Sequence, residues 1–159
     1  MNITIACVGR VKEKFFRDAI GEYTKRLGRY ARLSIREVKD EPAPENASPA
    51  LIEKIKETEG IRLLKLIPDS SYVIALAING KPMSSEELAT FIDRSALSGK
   101  SHLVFVIGGS LGLSDQVIKR ADFLLSFSRM TFPHQLMRVV LLEQIYRSFR
   151  IINHEPYHK

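Results

Sequence analysis

The sequence predicts an α/β domain built on a mostly parallel sheet with helices on both faces. Three observations carry this. Strand-like and helix-like segments alternate along the whole chain, which places parallel strands side by side through helical crossovers. Two strand segments, residues 72–78 and 103–107, are continuous apolar runs rather than alternating ones, as strands covered on both faces require. Finally, 159 residues suffice for one core and are too few for two, so residues 1–159 read as a single domain.

Taken in order, residues 2–9 form a strand holding the only cysteine, Cys7. Residues 12–30 carry Phe16, Ile20, Tyr23 and Leu27 at helical spacing. Residues 33–38 alternate as a strand, and residues 40–47 are an acidic loop with Pro42 and Pro44. Ser48 before Pro49 starts a helix that runs towards Ile67, with a weak point at Gly60. Strand 72–78 is expected to end at Asn79-Gly80, and Ser84-Ser85-Glu86-Glu87 offers a capping box for a helix to about Leu97. Strand 103–107 breaks into Gly108-Gly109-Ser110-Leu111-Gly112, and Ser114 caps a short helix from Asp115. A strand over 123–128 precedes the final helix, from Pro133 to about Phe149. Leu136, Val139, Val140, Leu142, Ile145 and Phe149 make that helix apolar over more than one stripe, so it is either wholly buried or shared with a second subunit.

A hydrophobic fraction of 45% and a charged fraction of 26% are those of an ordinary soluble protein. One cysteine inside an apolar run fits a buried thiol in a reducing compartment. The chain opens without a charged leader, and no apolar run approaches the roughly 18 residues of a membrane span, so a cytoplasmic protein is expected. A net charge of +6 favours a polyanionic partner. Lys25, Arg26, Arg29, Arg32 and Arg36 lie close together, with Glu22 and Glu37 the nearest acids. They form either a solvated helix face or a phosphate-tracking patch, and both readings stay open.

In parallel sheets ligands bind at the carboxyl ends of the strands, which directs attention to the segments after residues 78, 107 and 127. Adjacent glycines in Gly108-Gly109-x-x-Gly112 let the backbone approach a ligand closely, although a plain tight turn would use them too. This is not G-x-G-x-x-G, it lacks the lysine of a P-loop, and it follows a late strand. The loop after the first strand has only Gly9, which argues against a nicotinamide-binding Rossmann domain and against a Rossmann-type methyltransferase. His154-Glu155-x-x-His158 matches the zinc-protease pattern, but that chemistry needs a helix, and Pro156 inside the pattern denies it. Three histidines, His134, His154 and His158, fall in the last 26 residues together with Arg147, Arg150, Tyr157 and Lys159. A terminus is loose by default, yet a tyrosine after a proline can dock and stack while His158 and Lys159 meet phosphate or a base edge. Glu143 and Arg147 sit one turn apart on the last helix, as a surface pair or as two groups lining a site.

One combination is specific. Phe105-Val106-Ile107-Gly108-Gly109-x-x-Gly112-Leu113-Ser114 is followed by Leu125-Ser126-x-Ser128, Thr131-x-Pro133-His134, Arg138, Glu143-x-x-Tyr146-Arg147 and a terminal His154-x-Pro156-Tyr157-His158. Over essentially the whole chain this resembles the ribosomal RNA large subunit methyltransferase H family, small members of the SPOUT class of S-adenosylmethionine-dependent enzymes. The resemblance implies a C-terminal trefoil knot, which chain-connection rules treat as exceptional, and a homodimer. It implies methylation of N3 of a pseudouridine in the helix 69 loop of 23S rRNA, on the ribosome, with no metal. By position, the S-adenosylmethionine pocket would be Leu76, Gly108, Gly109, Phe127, Ser128, Arg129, Met130, Thr131 and Phe132.

A pyrimidine N3 is protonated near neutral pH, so some group must take its proton or stabilise the anion. His134, Glu143, Arg147 and His158 are the candidates, with an acid or histidine as base and Arg147 on the carbonyl oxygens. Tyr157, Lys159 and Arg138 are assigned to RNA; the family often ends in arginine where this chain has Lys159, a loss of bidentate geometry. So small a domain suggests a site built from two subunits, one binding cofactor and the other supplying the tail and basic patch. The alternative is a non-catalytic module that binds RNA or the ribosome. A small α/β enzyme with another nucleotide cofactor is the third reading.

Overall fold

The computed structural model describes residues 1–158. Among them strands and helices alternate: β1 (Asn2–Val8), α1 (Lys14–Leu27), β2 (Arg32–Val38), α2 (Pro49–Leu64), β3 (Tyr72–Pro82), α3 (Ser85–Leu97), β4 (His102–Ile107), α4 (Asp115–Arg120), β5 (Phe123–Ser126) and α5 (His134–Ile152). The strands form one sheet in the order β2-β1-β4-β3-β5, every pair parallel. The period of two along each strand divides the core. Ile3, Ile5, Phe105 and Ile107 face α1, α3 and α5, whereas Ala6, Val8, Val104 and Val106 face α2 and α4. Burial of each large side chain here contributes about 1.5–3 kcal/mol. The Cys7 thiol is among them, and burial pushes its pKa up to about 12.

Ser48, Ser84 and Ser114 cap α2, α3 and α4 as the sequence predicts, and Ser84 with Glu87 forms the full capping box. Other expectations change. β3 does not stop at Asn79-Gly80 but runs on to Pro82, because β5 pairs with it on both sides of a bulge between Leu76 and Lys81. Gly80 is there for close approach: a Cβ on it would lie 2.8 Å from the Leu124 carbonyl group. β5 ends at Ser126, whose hydroxyl donates to the Ile78 carbonyl at 2.8 Å and so turns the chain out of the sheet. Gly60 is no weak point either. It lies buried in α2, where a Cβ would sit 2.3 Å from the Ser114 hydroxyl, and it lets α2 press against the start of α4.

After β5 the chain leaves the edge of the sheet and crosses back over the carboxyl ends of β3 and β4 to begin α5 beside β1. The His134 ring lies 3.3 Å from where a Cβ on Gly9 would be, a glycine held at φ +88°. Arg138 donates to the Gly9 carbonyl at 3.3 Å and to Glu37 on β2 at 2.5 Å. With 2% exposure it is one of the most buried side chains in the molecule. The assignment of Arg138 to RNA is therefore corrected: it is an internal brace. α5 continues past Phe149 to Ile152, and none of its residues is fully exposed. Beyond it His154 takes φ 54° and ends the helix, so His154-Glu155-x-x-His158 is not helical.

Glycine to alanine inside a helix normally stabilises by about 1 kcal/mol. Gly60→Ala should do the opposite, lowering the urea midpoint by displacing Ser114 from its cap; an increase would show that the α2–α4 approach is slack.

Candidate active site

The loops that leave the carboxyl edge enclose a cavity of about 620 Å³, a size that suits a small ligand. Leu76, Gly108, Gly109, Phe127, Ser128, Met130, Thr131 and Phe132 all line it. Arg129 does not: it is exposed and is not among the lining residues, a correction to its place in the cofactor set. The glycines are needed by geometry. A Cβ on Gly108 would come within 2.9 Å of the Gly112 backbone, and Gly112 (φ +88°) donates its amide to the Gly109 carbonyl at 3.1 Å. The walls are mainly apolar side chains with backbone polar groups between them, which fits an adenine ring and a methionine chain.

Beneath this loop sits a residue that sequence reasoning missed. Glu59 of α2 is 4% exposed; its Oε2 accepts the Glu41 amide at 3.0 Å, and its Oε1 is buried without a partner among the described residues. A Cβ on Gly109 would lie 3.1 Å from Oε1. Burial raises the pKa of this carboxyl. Nothing in the polar run around Glu59 distinguishes it from a solvated helix residue, so only the packing of α2 under the loop could reveal it.

The tail is docked, not loose. Glu155 pairs with Arg150 and accepts the Tyr30 hydroxyl at 2.8 Å, and Arg150 also donates to the Pro156 carbonyl at 2.6 Å. This folds Tyr157 and His158 back onto the middle of α5. Glu143 Oε1 accepts from Arg147 at 2.5 and 3.0 Å and from the Tyr157 hydroxyl at 3.1 Å, while Gln144 donates to Oε2 at 2.8 Å. Burial first, then Glu143, push the Tyr157 phenol up to about 12, and the bond to Glu143 raises Arg147. The Arg147 guanidinium carbon stands 4.7 Å from the Tyr157 ring centroid. Arg147 Nη1 donates to His158 Nδ1 at 3.1 Å, and His158 Nε2 lies 2.7 Å from Glu86, an arrangement that suits the tautomer protonated at Nε2. Glu86 in turn has a lowered pKa, through its own backbone amide and then through His158.

These groups do not meet the cavity within one chain. His134 lines it, but Glu143 lies nine residues further along α5 and Arg147 thirteen, about 14 and 20 Å at the helical rise. The four predicted catalytic residues therefore fall into two places: His134 at the cavity, and Glu143, Arg147 and His158 in the tail cluster. His134 keeps a buried Nδ1 without a partner among the described residues, and burial, then Arg138, lower its pKa. Of the basic patch, Arg26 pairs with Glu22 at 2.9 Å and Arg29 with Glu155 at 3.7 Å, which sets the patch beside the tail and away from the cavity. Lys159, assigned to RNA, lies outside the described residues.

Parallel strands, a late glycine loop and a returning segment that closes one cavity are the features of an α/β-knot methyltransferase. Residues 1–158 match the family model described as "Predicted SPOUT methyltransferase", and the chain belongs to that family. Over 159 residues, covering 100% of both chains, it is 60% identical to a protein of Bifidobacterium animalis subsp. lactis named "Ribosomal RNA large subunit methyltransferase H". It has the same identity and coverage with the protein of that name from Carboxydothermus hydrogenoformans, and 58% identity with that from Clostridium kluyveri. A solved structure titled as that of a probable methylase family protein from Haemophilus influenzae superposes with a TM-score of 0.55 over 99% of this chain and 70% of the other. At 13% identity that likeness concerns the fold.

Gly109→Ala should weaken binding of the methyl donor by about tenfold in calorimetry, as the loop lifts off Glu59; unchanged affinity would show that the loop moves freely. His134 should titrate below the 6.5 of an ordinary imidazole when its ring protons are followed by NMR. Because the fold disfavours its protonated form, its contribution to stability is present above pH 6.5 and is lost as the pH falls.

Proposed function

We propose that the chain is an S-adenosylmethionine-dependent methyltransferase of 23S rRNA that modifies N3 of a pseudouridine in the helix 69 loop, working as a homodimer on ribosomes in the cytoplasm. The observation that carries the reading is the full-length identity of 60% to proteins named as methyltransferases of large-subunit rRNA. The cavity supports it, since glycine backbone and apolar walls suit the proposed donor, and the excess of positive charge suits an RNA substrate. No described helix is long and apolar enough to cross a membrane, in keeping with the proposed location.

When bound, the donor supplies an electrophilic methyl carbon on a sulfonium; the chain's own residues orient, exclude water and handle one proton. Leu76, Gly108, Gly109, Phe127, Ser128, Met130, Thr131 and Phe132 hold the donor so that its methyl faces the opening, where the base must arrive in line. The pyrimidine N3–H must lose its proton, and three groups could take it. Glu143 already accepts several hydrogen bonds, and both ring nitrogens of His158 are engaged. His134 lines the cavity, and its lowered pKa keeps the ring unprotonated, and so able to accept a proton, at neutral pH. It is assigned the proton. Arg147, held by Glu143, is assigned to the carbonyl oxygens that carry the developing charge, and Tyr157 to placement of the RNA.

Groups 14–20 Å apart on one helix cannot both touch one base, so the reading places His134 and the donor on one subunit and the tail cluster on the other. Half-buried Leu136, Val139 and Val140 leave α5 an apolar face for such a partner. Mixing a Gly109→Ala chain, slowed about tenfold at low donor concentration, with one truncated before Tyr157, inactive alone, should raise methyl transfer to ribosomes above the Gly109→Ala level in the heterodimers. Heterodimers confirmed by native mass spectrometry but no faster than that level would rule out a shared site. Calorimetry with S-adenosylmethionine should show micromolar binding, with NADH giving no heat.

A further inference from the structure

Beside the cavity stand an exposed ring and unpaired cations that neither the donor cradle nor the tail cluster uses. Phe15, in the first turn of α1, is 66% exposed, and the cradle residues Met130 and Phe132 also leave part of their surface open, at 73% and 37% exposure. The Phe15 ring is backed by that of Phe16, with centroids 4.4 Å apart. Two contacts bring the start of α1 to the cavity. The Lys12 amide donates to the Gln135 side chain at 3.4 Å, and Gly9 lies against the ring of His134, a lining residue. Phe15 follows three residues after Lys12, in the first turn of α1.

The unpaired charges beside Phe15 are mostly positive, with Glu13 and Asp40 the acids that face neighbouring His134. Arg10, Lys12 and Arg129 are exposed, and none of them forms a salt bridge among the described residues. Arg17 donates to the Lys12 carbonyl at 3.1 Å and fixes that turn, Lys14 is neutralised by Asp18 at 2.7 Å, and Glu13 is the one acid within residues 10–17. A flat ring edged by free cations matches an unpaired RNA strand, whose bases stack and whose phosphates need positive charge.

We infer that Phe15, with Arg10, Lys12 and Arg129 around it, is a docking platform for the RNA strand that carries the target base, on the subunit that holds the methyl donor. This rests on the reading of the chain as an rRNA methyltransferase and extends it, because it gives the donor-holding subunit an RNA contact separate from the partner's tail and basic patch. The stacked base would lie next to the cavity opening, which orients its neighbour towards the methyl group.

The test uses the full-length protein, unmodified ribosomes and a short single-stranded RNA copying the loop. Phe15→Ala should raise the KM for ribosomes roughly tenfold and weaken the RNA in filter binding by a similar factor. Arg10→Glu with Lys12→Glu should do the same and flatten the salt dependence. Maximal turnover, donor affinity in calorimetry, melting temperature and the mass of the oligomer in light scattering should stay as in the parent. Phe15→Leu, which keeps the bulk and loses the ring, should behave like Phe15→Ala; a parent-like Phe15→Leu would mean packing and overturn the stacking role. Unchanged KM and RNA affinity in both other variants would overturn the proposal. Loss of the oligomer would overturn it too, because the occupant of the rim would then be a second copy of the chain. If the parent itself fails to methylate ribosomes, the rRNA reading fails, and the platform falls with it.

Discussion

The burial of Arg138 is the constraint on which the rest of the molecule depends. A guanidinium at 2% exposure is expensive unless paired, and here it is held by Glu37 on β2 and the Gly9 carbonyl at the end of β1. Three elements distant in sequence are thereby pinned at one point: α5, β1 and β2. The pin decides where the chain must arrive after β5, and so stretches residues 127–133 across the ends of β3 and β4. That stretched segment is a wall of the cavity. Without the pin the crossing would have no fixed far end, and its backbone could not present a defined surface to a ligand.

The same helix carries a second demand at its middle. Glu143, Arg147, Tyr157 and His158 bind one another, and Glu155 with Arg150 and Tyr30 holds the chain in the return that brings them together. Most donors are matched to an acceptor in a partly buried setting, Arg150 Nε being the exception, so the side chains are oriented before any substrate comes. Such preorganisation lets a charge be met in the transition state without rearrangement. It also leaves both Glu143 oxygens occupied, one by Arg147 and Tyr157 and the other by Gln144.

Much of the architecture was legible in the sequence because it follows from local rules. Continuous apolar runs marked the central strands, three serines marked helix starts, and paired late glycines marked the cavity. The failures have one physical cause, contact between distant segments. Gly80 and Gly60 were read as breaks because glycine is flexible, whereas each is in fact a place where two backbones or helices come close. Arg138 looked like an RNA contact since arginine is normally at the surface, and only the meeting of α5 with Gly9 and Glu37 buries it. Glu59 gave no signal because its importance lies in what rests on it. Resemblance to a family supplied the knot, the donor and the reaction, which no periodicity could have given.

The order in which the sheet is assembled has its own consequence. β4 lies between β1 and β3, so the first four strands can pair before β5 exists, while the face of the sheet that α5 covers is still open. The crossing segment, α5 and the docked tail are all encoded in the last third. During synthesis, therefore, a folded sheet precedes both halves of the site, and the cavity and the Glu143 cluster take shape only after α5 has been drawn across that sheet. A nascent chain of this protein can be compact long before it can be an enzyme.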